Sequence, residues 1–474
     1  MFTRPSAAVG ATTVCALIVV ASAVGITAFG ASTAPVAGSR LTPSEHGETT
    51  VTVRLWDDTV AAGYEKSFAA FERDNPDIHV EVEVVPYVDY FDDLEEDVAA
   101  DDAPDVYWLN SANYRQYVDG GDLVDVDEVL GDTARRAWSP AVVDQFTSDG
   151  ELWGVPQLSD GGIALYYNAT MLQAAGIDPA ALDDLTWAPG GGEGDTLLPA
   201  LEQLTLDDQG RTAADPAFDG QVTQYGYNAG QDLQAIWLDY LGSAGGGLED
   251  ATGASFTLDT PEARDAFQYL VDLVAVHRVA PPAAETSADP DLSLDAFTSG
   301  RMALFQSGLY SLSKVDAAAG FDWGVAMMPA GPAGRVSVTN GVVAAGNAHT
   351  GHLDDTAKVM AWLGSSDGAE YIGRDGAAVP AVTSAQQPYY SYWAKRGVDV
   401  SPFFDVIASG DTVPAPTAIY GEAQDAITPL LDQMFAGALS VDDALAAADA
   451  AGEAAVAEAR GGPTGQATDD PALK

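Results

Sequence analysis

The 474-residue chain has a single cysteine, Cys15. Internal disulfides and thiolate metal clusters are thereby excluded. Basic residues are also scarce: 20 Lys and Arg stand against 71 Asp and Glu, a formal net charge of −51. Nucleic-acid binding needs clustered Lys and Arg to neutralise phosphates, so it is excluded as well. The same balance argues against anionic membrane surfaces as direct ligands and reads as a solvated acidic surface. There are only five histidines. His349 and His352 form an H-x-x-H without the Glu of the zinc-protease motif. Ser311 and Lys314 match S-x-x-K, but no Lys-Thr-Gly accompanies them. The 289–295 stretch alternates oxygen ligands as a calcium loop does. However, Leu294 stands where Gly is needed and Gly300 where Glu is needed, so the stretch reads as the start of a helix. No glycine loop of the phosphate-cradling kind is present, and no cofactor is expected.

What is present is apolar content: 47% of the residues are hydrophobic. The length accommodates two or three domains. Residues 7–31 form an uncharged apolar stretch preceded by Arg4. It is long enough to span a bilayer, and small residues at Ala28, Gly30, Ala31 and Ala34 offer cleavage sites. Residues 1–31 are therefore expected to be a signal peptide or an N-terminal membrane anchor, with the domain outside the membrane. Cys15 does not suit lipid attachment, because Val14 precedes it and the apolar core runs past it. Residues 32–48 read as a polar linker and 461–474 as a disordered tail.

The stretch 71–110 carries the clearest organisation. Ile78, Val80, Val82 and Val84 alternate with polar residues, the pattern of a half-buried strand, after an Asn75-Pro76 break. An acidic amphipathic helix over 89–100 follows, then a short apolar strand from Ala103 that closes on Asn110. Before it, 50–56 alternates as a first strand, and Phe68 and Phe71 lie on a helix at apolar spacing. Helix, strand, helix, strand opens an α/β domain, in which ligands bind outside the carboxyl ends of strands. Further on, strands are expected at 152–156, 163–167, 302–306, 323–328 and 336–345, the last interrupted by Asn340-Gly341. Helices are expected at 169–175, ended by Gly176, at 234–241, at 261–277 behind a Thr260 cap, and at 294–300. Residues 354–460 read as mostly helical.

An aromatic, Asn or Asp recurs at strand-to-loop junctions. Trp56-Asp57, Tyr107-Trp108 with Asn110, Asp160, Trp237, Tyr310 and Asn340 all fit. Sugars need such groups: aromatic faces stack on the apolar face of a pyranose, and amides and carboxylates bond its hydroxyls. Each residue also has a plain structural alternative. A Trp can belong to the core, Asn110 can cap a helix start, and Asp160 can cap a turn before Gly161. The many Asp pairs could include a glycosidase dyad, whose spacing is a property of the folded chain.

The stretch FERDNPDIHVEVEVVPYVDYFDDLEEDVAADDAPDVYWLN resembles the first lobe of the extracellular solute-binding proteins of ABC importers, in the carbohydrate-binding group. LWGVPQLSDGGIALYYNATMLQAAGID, SFTLDTPEARDAFQYLVDL, FTSGRMALFQSGLY and FDWGVAMMPAGPAGRVSVTNGVVAA agree in the same order. The resemblance covers about residues 50–450. It implies an α/β, two-lobed, periplasmic-binding-protein-like fold with a hinge and an interlobe ligand cleft. By analogy lobe 1 is 50–160 and 343–387, and lobe 2 is 161–342 and 388–460. The implied function is a monomeric receptor that delivers a sugar or oligosaccharide to an ABC permease, without catalysis. The alternatives are a receptor for another solute, such as a phosphodiester, polyamine or peptide, and a secreted glycoside hydrolase. The ligand contacts implied are Trp56, Asp57, Trp108, Asn110, Asp160, Trp237, Tyr310, Asn340, Gly341 and Tyr420. Tyr310 stands where the family commonly has Trp. Gly161-Gly162 and Asn340-Gly341 are expected near interlobe crossings, where a free φ is useful.

Overall fold

The structure, a computed structural model, describes residues 49–459 except 160, 251–254, 287, 288, 290, 409–411, 414 and 415. The expectations for 1–31, 32–48, 461–474 and Asp160 fall outside the described residues. Among the described residues no helix is long and apolar enough to cross a membrane.

The first lobe follows directly from local patterning. Strand β1 (Thr49–Leu55) buries Val51, Val53 and Leu55. Helix α1 (Asp58–Asp74) starts at Asp57, whose carboxylate accepts from the amides of Thr59 at 2.8 Å and Val60 at 3.0 Å. It buries Val60, Tyr64, Phe68 and Phe71, a single stripe at helical spacing. Strand β2 (Ile78–Val84) runs parallel to β1 in the register Thr49↔Ile78, and helix α2 (Tyr87–Ala99) buries Tyr90 and Leu94. Strand β3 (Val106–Leu109) is buried at every position. The sheet order is β2, β1, β3, then Val342–Gly346 and Val155–Leu158, the last two joining antiparallel. On the β1–β2 side, buried Arg54 pairs with Glu83 and Asp97, each at 2.7 Å.

The second lobe is built on a three-stranded antiparallel sheet, Leu304–Ser307, Ala164–Asn168 and Trp323–Met327. Its flanking helices include Ala169–Ala175, ended by left-handed Gly176, and Pro261–Ala275, capped by Thr260. Helices also fill most of the chain beyond Leu353.

Three expected elements take a different form. The strand at 152–156 is two strands: Glu151–Leu152 pairs with Thr147–Ser148, and Val155–Leu158 joins the large sheet. Gly154 separates them, where a Cβ would lie 2.6 Å from Val343 Cγ2. The helix at 234–241 begins with a π-helical turn, Leu233–Trp237, before Leu238–Ala244. The strand at 336–345 divides at Asn340-Gly341 into Ser337–Val338, paired with Thr412–Val413, and Val342–Gly346, in the large sheet.

The chain thus passes between the sheets at 159–163 and at 339–341. A third passage lies between Ala385, packed in the first-lobe core, and Tyr389, packed beside the second sheet. Gly161-Gly162 and Asn340-Gly341 do mark the first two passages, but not through a free φ. None of Gly161, Gly162 and Gly341 has a left-handed conformation. They are small because neighbours come close. A Cβ on Gly162 would lie 2.3 Å from Val406 Cγ1 and 2.8 Å from Ser337 Oγ, and one on Gly341 2.7 Å from Val142 Cγ1. Gly162→Ala is therefore expected to cost about 1–3 kcal/mol by overpacking. Urea unfolding checks this, and an unchanged midpoint would show that the helix Ser401–Ala408 yields freely.

Candidate functional site

A cavity of about 40 Å³ lies beside the 339–341 passage, lined by Tyr87, Asn110, Ala112, Asn113, Leu233, Gln234, Val338, Asn340, Pro416, Tyr420 and Gln424. Such a volume accommodates roughly three waters at about 10–15 Å³ each. A pyranose enters only if the walls part.

The first-lobe wall is assembled by the end of β3. The strand stops at Leu109, and Asn110 follows with only 5% of its surface exposed. Its Oδ1 accepts from the Asn113 amide at 3.1 Å and from Asn113 Nδ2 at 2.9 Å. Its Nδ2 donates to the Tyr87 hydroxyl at 3.3 Å. Asn110 is therefore both the cap of the following turn and part of the cavity wall, and the two readings of it are not exclusive. Tyr87 opens α2, and the residue is 56% exposed at the cavity rim.

The opposite wall comes from the π-helical turn and from the start of the helix Ala418–Phe435. Tyr420 lies in that helix's first turn, and burial pushes its phenol up to about 12. Asp232 precedes the turn and caps it through the Ala235 amide at 2.9 Å. Burial raises its carboxyl above the ordinary range. The two sides touch directly. Ser111 Oγ donates to the Pro416 carbonyl at 2.9 Å and to Asn340 Oδ1 at 3.4 Å. A Cβ on Gly421 would lie 2.4 Å from the Ala112 carbonyl oxygen. At the 339–341 passage, Gln145 accepts from the Gly341 amide at 2.8 Å and donates to the Thr339 carbonyl at 3.3 Å.

The structure brings together Asn110, Asn340 and Tyr420 of the residues named from sequence. Gly341 is beside them but does not line the cavity. Trp56 is half-buried, edge-on to Tyr87 at 5.6 Å and to Trp108 at 5.0 Å, so it backs the rim without reaching the cavity. Asp57 is occupied as the cap of α1. Trp108 is 0% exposed and sits in the first-lobe core. The expectation that it stacks on a ligand is corrected: β3 is central and covered on both faces, so both of its side-chain rows are core. Trp237 is likewise wholly buried, against Phe267 at 5.5 Å, because the π-helical turn points it into the second-lobe core. Tyr310 is 44% exposed on a short turn, Leu309–Ser311, and is not among the lining residues.

Sequence reasoning missed Tyr87, Asn113, Gln234, Pro416 and Gln424. Asn113 was within reach of it, since its spacing of three from Asn110 is the spacing of a turn closed by an Asn side chain. Tyr87 also stands at a strand-to-helix junction. Gln234, Pro416 and Gln424 carry no local signal.

The family model described as bacterial extracellular solute-binding protein matches residues 57–370. Among solved structures, Mycobacterium tuberculosis UspC is 51% identical, with a TM-score of 0.70 and coverage of 86% of this chain and 100% of that one. Lmo0181 from Listeria monocytogenes, a substrate-binding protein solved with cycloalternan, is 20% identical with a TM-score of 0.73, covering 88% of this chain and 100% of that one. That second likeness shows the fold alone. Of the curated relatives, a probable ABC transporter-binding protein of Deinococcus radiodurans is 26% identical over 52% of this chain; the match spans about half, 54%, of that relative's length. A putative binding protein of Brucella abortus is 22% identical over 73% of this chain and 79% of its own. With two α/β lobes, repeated passages between them and a family match over most of the described chain, the protein belongs to the bacterial extracellular solute-binding proteins.

Proposed function

We propose that this protein is an extracellular receptor that captures a sugar or an oligosaccharide and presents it to the permease of an ABC importer. One observation carries the reading. The cavity is lined by five carboxamides, Asn110, Asn113, Gln234, Asn340 and Gln424, with the phenols of Tyr87 and Tyr420. An amide offers both donors and acceptors, and a sugar hydroxyl donates and accepts at once. Among the described lining residues there is no Lys, Arg, His, Asp or Glu. A phosphodiester would call for Arg or Lys, and a polyamine for several acids. A glycoside hydrolase works with two facing carboxylates, and the described lining residues supply none. The cycloalternan held by the Listeria protein agrees in chemical class, but the reading rests on the amides.

The ring of Tyr87 is the exposed aromatic at the cavity rim, so it is the stacking surface in this reading, in place of Trp108. The lobes part to admit the solute and close on it, a hinge motion across the passages.

A thermal-shift screen tests the function. The panel includes neutral mono-, di- and trisaccharides, sugar phosphates, spermidine and a tripeptide. A neutral saccharide at 100 times its Kd is expected to stabilise the protein by about 2.7 kcal/mol. Sugar phosphates should give no shift, because nothing in the lining neutralises an anion. A shift with spermidine or the peptide alone would overturn the reading. With the best saccharide, Asn110→Ala is expected to weaken binding by about 1–3 kcal/mol, the cost of leaving buried partners unpaired. Wild-type affinity in calorimetry, together with a lowered melting temperature, would leave Asn110 as a cap only.

A further inference from the structure

Glu249 lies outside the cavity, yet both of its carboxylate oxygens are committed to one residue at the cavity's edge. Its Oε1 accepts from the Thr417 amide at 2.9 Å and its Oε2 from the Thr417 hydroxyl at 2.6 Å. Thr417 precedes the helix Ala418–Phe435, and its own side chain makes no capping bond to that helix. The helix start is therefore held from outside, by a carboxylate placed where the helix dipole favours negative charge. Pro416, on the other side of Thr417, accepts the Ser111 hydroxyl of the first lobe. Tyr420 and Gln424, one and two turns into the helix, line the cavity.

Glu249 is itself anchored. Its hairpin closes through the Asp250 amide to the Ser255 carbonyl at 2.9 Å and the Thr257 amide to the Leu248 carbonyl at 2.8 Å. The far arm is fastened to the C-terminal helix Val441–Ala459. Glu453 accepts from the Phe256 amide at 3.0 Å and Asp449 from the Leu258 amide at 2.9 Å. Carboxylate hydrogen bonds at both ends, joined by the backbone bonds between the two arms, thus link the C-terminal helix through Glu249 to the segment that touches the first lobe. The carboxylate bonds are of a kind roughly twice as strong as neutral ones.

We propose that Glu249 is a positioning residue for the cavity: by clamping Thr417 it fixes Pro416, Tyr420 and Gln424 in the arrangement that captures the solute. This rests on the reading of the cavity as the solute site. Glu249 touches no solute, and its effect reaches binding only through the segment 416–424. Without the clamp, that segment must be ordered at the moment of binding, and affinity falls by that cost.

The test compares wild type, Glu249→Ala, Glu249→Gln and Thr417→Val in the full chain. Hydrogen exchange without solute comes first. Glu249→Ala and Thr417→Val are expected to speed exchange at 416–424 at least tenfold, with the strand Thr49–Leu55 unchanged. Glu249→Gln retains an acceptor and should fall within threefold of wild type. Unchanged exchange at 416–424, or a uniform rise across the chain, would overturn the clamp. Calorimetry then uses whichever panel saccharide most stabilises the wild type. Five- to fiftyfold weaker binding is expected for the alanine and valine variants, and a variant carrying both Glu249→Ala and Thr417→Val should bind no worse than either. Faster local exchange with wild-type affinity would overturn the positioning role. If no saccharide binds the wild type, the sugar reading fails, while the exchange data still decide the clamp.

Discussion

Trp108→Ala is expected to cost about 3–5 kcal/mol of folding stability, the range for removing a buried Trp from a core. The indole is wholly buried between Trp56 at 5.0 Å and Tyr64 at 5.9 Å, both edge-on. Its Nε1 donates to the Tyr64 hydroxyl at 3.3 Å. The strand around it is pinned by Tyr90, whose hydroxyl receives the Trp108 amide at 2.9 Å and donates to the Trp108 carbonyl at 3.0 Å. Alanine would leave a cavity in the middle of the large sheet and remove one partner of Tyr64. Trp108→Phe, which keeps most of the volume, should cost markedly less. Urea unfolding of both variants measures this. The opposite pattern, wild-type stability with saccharide binding abolished, would return Trp108 to the ligand site and overturn its placement in the core.

Asp239→Asn is expected to raise stability at neutral pH. Asp239 is wholly buried on the helix Leu238–Ala244, where one oxygen accepts from the Val338 amide at 2.8 Å. Its other oxygen is buried without a hydrogen bond. Burial holds this carboxyl well above the ordinary carboxylate range, and the charge of Asp232 adds to that. The Val338 bond and the nearby Ser337 and Gln306 side chains act the other way and are outweighed. The folded chain therefore keeps a proton that the unfolded chain sheds. Stability contributed by this group is greatest at low pH and falls as pH rises from the unfolded carboxyl value towards the folded one, by about 1.4 kcal/mol per pH unit. Asparagine has no proton to lose and retains the acceptor for Val338. Its advantage should be largest at pH 7–8 and shrink towards pH 4. Urea midpoints at pH 4, 6 and 8 check it. A loss of stability independent of pH would mean that the carboxylate is ionised and satisfied in the folded chain.

Asp239 also bears on the site, because Val338 both receives its support and lines the cavity. The buried acid thus steadies the residue that precedes the 339–341 passage. Glu249 does the same for the neighbouring segment 416–424, so two acidic side chains outside the lining hold a lining that is itself uncharged.

The sequence alone determined whatever depends on neighbours in the chain. Alternation in 78–84, the apolar spacing of Phe68 and Phe71, the Thr260 cap and the Gly176 stop are local effects, and they fell within a residue or two of expectation, whereas Asp57, read as a ligand contact, is the cap of α1. Gly161-Gly162 and Asn340-Gly341 located two passages for the same reason, although what their glycines relieve is crowding by Val406 and Val142, from segments remote in sequence. Tertiary structure decided which strand-end residues line the cavity. Trp108, Asn110, Trp237 and Asn340 share one description in sequence, an aromatic or amide at the end of an element. Burial separates them, because a central strand covered on both faces and a turn directed into the second-lobe core have no free side. Asn110, Asn340 and Tyr420 meet only because the chain passes repeatedly between two sheets, and no periodicity encodes that meeting. Gln234, Pro416 and Gln424 enter the site the same way. Their side chains are ordinary for a helix or loop, and only the contact between segments remote in sequence gives them a shared cavity.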